Sequence, residues 1–190
     1  MEFLKRSRAQ HQTRAQTPEL PDWVTTSAEE LITQFDAQIA DLERAIRDHI
    51  DQHPGLRDKR DLLTSIPGIA NTTAASILAE MPAIEQFESS RAVAAYAGLS
   101  PQLRQSGSSV RGKPRLSKLG NSRLRTALYF PAIVAQQHNP TLKAVAQRLK
   151  AAGKHPKLIL GALMRKLLIL AYGVLRSGKP YDPAMSPQNA

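Results

Sequence analysis

The sequence predicts an all-α protein: a long amphipathic, coiled-coil-like N-terminal helix, then a helical domain with a helix-hairpin-helix-like unit and a basic Gly/Ser loop. Three observations predict it. Ala, Leu, Gln, Arg and Lys, all good helix formers, dominate the chain. The apolar residues recur mostly at spacings of three and four, and no strong strand alternation is visible. One stretch, Ser100 to Gly120, concentrates Gly, Ser, Pro and basic residues and is too polar for a core element, so it reads as a loop.

The elements follow in order. Met1 to Gln16 is polar and basic and reads as a charged helix or a frayed end; Pro18 and Pro21 break it, which makes 1–26 a remnant helix and linker. The second segment, 27–57, holds a helix from Ser27 to His53. Ser27 is its expected N-cap, and Glu30 three residues later completes a capping box. Leu31, Phe35, Ile39, Leu42, Ile46 and Ile50 form one narrow apolar seam, suited either to a coiled-coil partner or to packing on the same chain. Pro54-Gly55 ends it.

The main domain is expected over 58–182. Two short helices flank Ile66-Pro67-Gly68-Ile69, in the manner of a helix-hairpin-helix; there the turn's N–H groups and the next helix's N-terminus would meet a phosphate. A helix from Ser90 ends at Gly98. After the loop, one helix runs from Asn121 to His138 with a kink at Pro131, a second from Leu142 to Ala152 closed by Gly153, and a third from Lys157 to Arg176. The prolines after Gly178 predict a disordered tail, placed at 183–190.

Charge divides the chain. Met1 to Glu88 carries 9 Lys+Arg against 15 Asp+Glu, a net −6. Ser89 to Tyr181 carries 17 Lys+Arg and no carboxylate, so it cannot neutralise itself and calls for a polyanion, with duplex DNA the expected partner. There is no cysteine, which excludes disulfides and thiolate metal sites. The N-terminus lacks the apolar segment of a signal peptide, and the apolar run Leu158–Leu175 has Arg165 and Lys166 in its middle. That run reads as a buried helix, and the expected setting is cytoplasmic with no membrane partner.

Within the loop, Arg104, Arg111, Lys113 and Arg115 surround Gly107 and the serines Ser106, Ser108 and Ser109. Such a cluster suits a phosphodiester, and a serine there is a candidate nucleophile on phosphorus. The loop offers no Asp, Glu or His to activate it. From the residues alone, a flexible basic loop touching DNA backbone is the better reading.

Seven short motifs then occur in one order. They are Ile66-Pro67-Gly68-Ile69, Tyr96-Ala97-Gly98-Leu99-Ser100-Pro101, Gln105-Ser106-Gly107, Lys118-Leu119-Gly120-Asn121 with Leu124-Arg125, His138-Asn139-Pro140, Gly153-Lys154 and Arg165-Lys166-Leu167-Leu168. Together they resemble the C-terminal domain of the DEDD-type insertion-sequence transposases, the family of the bridge-RNA-guided recombinases and the pilin-gene invertase. The resemblance covers about Leu62 to Asp182.

It implies a two-part active site. An acidic ribonuclease-H-like domain with magnesium, expected to be missing from this chain, would complete a C-terminal domain that brings a nucleophilic serine. The family's Ser-Gly motif falls on Ser106, with Ser108 and Ser109 as neighbouring alternatives. The resemblance implies transposition of an insertion sequence by site-specific recombination, a guide RNA beside the DNA, and self-association through 27–53. Pro67, Gly68, Ile69, Arg104, Gly107, Arg111, Lys113, Arg115, Lys118, Arg123 and Arg125 are the expected nucleic-acid contacts. No metal ligand or cofactor is expected in this chain. The rival expectation is a non-enzymatic DNA-binding remnant or a regulator of a complete transposase.

Overall fold

The computed structural model describes residues 1–18, 20–81, 83–102, 105–106, 110–111, 115–117 and 119–185, the side chains of 85, 105, 106, 110, 111, 115 and 185 excepted. The protein is built of helices, in two compact units, Met1–His53 and Pro54–Ala190.

The first unit is a pair of antiparallel helices, α1 (Glu2–Ala15) and α2 (Asp22–Gln52). Lys5 Nζ lies 2.8 Å from Glu43 Oε1, Arg8 Nε lies 2.5 Å from Asp36 Oδ1, and the rings of His11 and Phe35 are 5.8 Å apart. Opposite charges pair along the contact, so α1 is held as a complete helix rather than a frayed end. The unit has little interior: only Ala28 and Ile50 are buried among its described residues.

α2 begins at Asp22, with Pro21 at the N-cap, five residues ahead of the expected Ser27. Nothing between Pro21 and Ser27 stops a helix, and Asp22 in the first turn suits the positive end of the dipole. Ser27 and Glu30 are therefore interior positions, and the expected capping box does not form there.

The second unit packs around one long helix. Its helices are α3 (Pro54–Thr64), α4 (Asn71–Glu80), α5 (Ser90–Tyr96), α6 (Ser122–Ala127), α7 (Tyr129–His138), α8 (Pro140–Ala151) and α9 (Pro156–Ser177). α3, α5, α7 and α8 all pack against α9. Leu163, Leu167, Leu168 and Ala171 of α9 are fully buried, together with Leu63, Ile77, Val93, Leu124, Leu128 and Leu142 from the surrounding helices. Each such side chain contributes about 1.5–3 kcal/mol by leaving water. By length and composition α9 meets the test for a membrane span, but 56% of the tested window is buried inside the fold, as the sequence reading of a core helix expects.

Three further differences from the sequence expectation lie in the second unit. α3 starts at Pro54 rather than Asp58, because proline in a first helical turn forfeits no hydrogen bond. The expected kinked helix 121–138 is two helices, α6 and α7, that meet at Leu128. Pro131 has no N–H for the Ala127 carbonyl four residues back, and its ring crowds that carbonyl. The break falls at that turn. At the C-terminal end the Tyr181 N–H donates to Ser65 Oγ at 2.8 Å and its hydroxyl to Asn139 Oδ1 at 3.0 Å, and Pro183–Met185 forms a 3-10 turn; the rest of the expected tail, 186–190, lies outside the described residues.

The third difference is the Gly/Ser loop, whose described backbone is a β-ribbon. β1 (Pro101–Gln102) pairs antiparallel with β4 (Arg115–Leu116), and β2 (Gln105–Ser106) with β3 (Val110–Arg111). The register sets Gln102 opposite Arg115 and Ser106 opposite Val110. Two-residue ladders are too short to show alternation, which is why no strand pattern was visible.

Candidate functional site

The ribbon's root is fixed by the helices on either side of it. Ser89 caps α5 by accepting from the Ala92 N–H, and Gly98 ends that helix with φ +66°. There the Gly98 N–H donates to Ala95 O at 2.9 Å and the Leu99 N–H to Ala94 O at 2.8 Å, a doubly bonded C-terminal turn that aims the chain outward. Leu99 is buried at the exit.

α9 holds both strands at their base. Arg165 donates from one guanidinium nitrogen to Leu99 O at 3.5 Å and Ser100 Oγ at 3.4 Å, on the outgoing side. One turn earlier, Gly161 leaves room for Leu116 on the returning side; a Cβ at 161 would stand 2.9 Å from Leu116 Cδ1. The Ser117 N–H donates to Ser100 O at 2.9 Å and closes the root.

The returning strand is locked again at Gly120. Its φ of +131° and its closeness to Tyr96 O, 2.2 Å from where a Cβ would be, admit only glycine. The next residue, Asn121, donates its N–H to Tyr96 O at 2.7 Å and caps α6 by accepting from the Leu124 N–H at 3.0 Å. Its amide nitrogen donates to Glu80 Oε2 at 2.7 Å, and the Tyr96 hydroxyl donates to Glu80 O at 3.0 Å. Arg123 Nη1 lies 3.8 Å from Glu80 Oε1. Glu80, Tyr96 and Asn121 thus tie α4, α5 and the start of α6 into one polar clasp beneath the ribbon.

The expected site residues divide into four groups. Ser106 lies on β2 and Arg111 and Arg115 on β3 and β4, described by backbone position. Arg104, Gly107, Ser108, Ser109, Lys113 and Lys118 lie outside the described residues. Arg123 is exposed, whereas Arg125 donates to Ala97 O at 2.9 Å and so braces the end of α5.

Pro67, Gly68 and Ile69 sit elsewhere in the unit, in the turn between α3 and α4. Ile69 is buried and its N–H donates to Ile66 O at 3.0 Å; Pro67 O accepts from Asn139 Nδ2 at 3.5 Å. A Cβ on Gly68 would meet Ala135 Cβ at 2.5 Å. This turn faces α7 and α8 with the groups described.

Sequence reasoning missed Glu80, Gly161 and the bracing role of Arg165. Nothing local in the sequence marks Glu80; its partner Asn121, 41 residues on, sets it apart. Among the described residues, no group of three or more His, Cys, Asp or Glu stands together to hold a metal ion.

Comparison with known proteins meets this geometry. Residues 60–147 match the model of the transposase IS116/IS110/IS902 family. The matching segment takes in the end of α3, α4 to α7, the ribbon and part of α8. The chain is 32% identical over 182 residues to the pilin gene-inverting protein of Moraxella bovis, covering 95% of this chain and 56% of that protein. It is 29% identical over 164 residues to an uncharacterized 43.6 kDa protein of insertion element IS110 from Streptomyces coelicolor, covering 86% of this chain and 39% of that one. A 42 kDa protein of insertion element IS900 from Mycobacterium paratuberculosis is 27% identical over 154 residues, covering 80% and 37%. The chain thus spans about half the length of the Moraxella relative, and less of the other two.

Proposed function

We propose that this chain acts in DNA transposition or inversion, as the part that grips duplex DNA and presents a serine to a phosphodiester. The observation that carries the reading is the ribbon. Ser106 lies on the β2–β3 ladder, and the β1–β4 ladder that flanks it in sequence is held at its root by α9 and followed by the Glu80–Tyr96–Asn121 clasp; both ladders and the clasp fall inside the segment that matches the transposase family. The cations of this carboxylate-free half supply the field that draws phosphate in.

In this mechanism the Ser106 Oγ attacks phosphorus and forms a phosphoserine bond. The bond from phosphorus to one sugar oxygen breaks, and that oxygen leaves with a proton as a free hydroxyl. Ser106 loses its own proton to a base that the ribbon sequence does not contain. That base, and magnesium with the carboxylates that hold it, belong to a separate acidic domain. A guide RNA and a second copy of the chain, joined through the 27–53 helix, complete the proposed assembly.

A second reading is favoured by one observation. The ribbon holds no Asp, Glu or His to activate a serine, so DNA binding without chemistry suits the chain on its own. A nicked, end-labelled duplex separates the two, with the acidic domain of a family member and magnesium added. The catalytic reading expects a covalent protein–DNA adduct that Ser106→Ala abolishes. An adduct that persists in Ser106→Ala overturns the assignment, and duplex binding without any adduct establishes the second reading.

A further inference from the structure

We infer that the outer face of α8 and the turn after it form a second phosphate contact for duplex DNA, made by residues other than the ribbon's. The inference rests on the DNA-binding part of the proposed function.

α8 is firmly oriented. Asn139, fully buried, caps it by accepting from the Leu142 N–H at 3.2 Å. Leu142 and Ala146 are buried, and Val145 and Leu149 are half-buried against the same core. The opposite face carries Lys143, Gln147 and Lys150, spaced four and three residues apart and all exposed. The helix ends in a doubly bonded turn: the Gly153 N–H donates to Lys150 O and the Lys154 N–H to Leu149 O, each at 3.0 Å. That turn fixes the backbone at Lys154, and α9 then opens with Lys157; both lysines are exposed.

Four lysines therefore leave one rigid corner of the unit. Among the described residues no ion pair engages any of them, and the sequence offers no carboxylate from Ser89 to Tyr181. An ordinary solvated helix face mixes both signs. α2 does so, with Asp41, Glu43, Arg44, Arg47 and Asp48. The α8 corner does not.

Lysine presents a compact, hydrated point charge that suits phosphate oxygens rather than base edges. Lys143 and Lys150 are separated by about 10.5 Å of helix rise, close to the rise of three base pairs, ~3.4 Å each, along a duplex axis. The face accordingly fits backbone contact that adds affinity without adding sequence preference.

The test is the salt dependence of binding. The full chain and its Lys143→Gln/Lys150→Gln/Lys154→Gln/Lys157→Gln variant are titrated against a labelled duplex of arbitrary sequence, from low to moderate KCl. Matched melting curves by circular dichroism show that the fold is kept, since all four side chains are exposed. A charge-matched control carries Arg6→Gln/Arg14→Gln/Arg57→Gln/Lys59→Gln, outside both the 27–53 helix and the carboxylate-free stretch.

If all four lysines neutralise phosphates, the slope of log K against log salt becomes shallower by about 3.6 in the α8 variant, at ~0.9 per contact, and the control keeps its slope. Binding with an unchanged slope in the α8 variant overturns this inference and leaves the ribbon reading standing. Equal loss in both variants overturns it too, as an effect of net charge alone. A change seen with single-stranded RNA but not with duplex replaces the proposed partner. Failure of the unaltered chain to bind duplex at any salt removes the DNA reading and this inference together.

Discussion

The two units of this chain solve the same local problem, making helices, with opposite resources. The first unit, Met1–His53, has 6 Lys+Arg and 10 Asp+Glu, and its described buried residues are Ala28 and Ile50. The second, Pro54–Ala190, has 20 Lys+Arg and 6 Asp+Glu and holds the whole hydrophobic cluster. One is joined along its surface by ion pairs, the other from inside by apolar burial. The difference teaches where stability and surface charge can be separated. A unit with a deep core can carry a large unneutralised positive charge; a pair of helices with almost no interior relies on charge pairing to stay docked.

The comparison can be broken first at the core. Leu167→Ala removes a fully buried side chain from the central face of α9 and is expected to cost about 2–5 kcal/mol in urea unfolding of the second unit. A cost under 1 kcal/mol would show that α9 is not the hub.

Next comes Gly120→Ala, which sets a Cβ against Tyr96 O in a backbone conformation foreign to alanine. A loss of about 2–3 kcal/mol is expected. Binding of duplex DNA should weaken as well, because the ribbon's return is misplaced; unaltered stability would mean that the clasp yields freely.

A smaller effect sharpens the electrostatic side. Burial first, and Arg148 second, hold the Lys166 ammonium below the usual lysine range. The unfolded chain, with a lysine value of about 10.4, then binds more protons than the folded one over the interval between the two values. Stability therefore rises with pH through that interval and levels off above it. Lys166→Met should flatten this rise, measured as thermal midpoint at a series of pH values from neutral to 10.5. An undiminished rise in the variant would assign it to other groups.

The smallest effect is expected in the first unit. Arg8 is paired with Asp36, whose hydrogen bond and charge raise its already high pKa, but the pair is exposed. Arg8→Ala should loosen α1 from α2, read as faster amide exchange in α1 at low salt, while the melting of the second unit stays put. Loss of the core transition on this substitution would show that the units are not energetically separate.

Much of the candidate site was visible in the motifs, though not in its geometry. Tyr96-Ala97-Gly98 and Leu119-Gly120-Asn121 stood out as short words in the sequence; the structure brings them together, with Gly120 against Tyr96 O and Asn121 bonded to it. Their common partner Glu80 carries no local signal, since a carboxylate at a helix C-terminus is locally unfavourable. Ser106 was singled out by the resemblance to the family's Ser-Gly motif, whereas its strand could be placed only once Val110 stood opposite.

By itself, then, the sequence determined what depends on residues within a turn of one another. The helix content, the stops at Gly98 and Gly153, the burial of α9 and the basic second half all follow from spacing and composition. Tertiary structure decided what depends on distant partners. Arg165 holds Ser100 from 65 residues away, and Tyr181 reaches Ser65 across 116. The physical reason is the range of the forces. Helix hydrogen bonds and caps close over three or four residues and are written locally, while a buried polar contact acquires its strength only after folding has removed the water between its two ends.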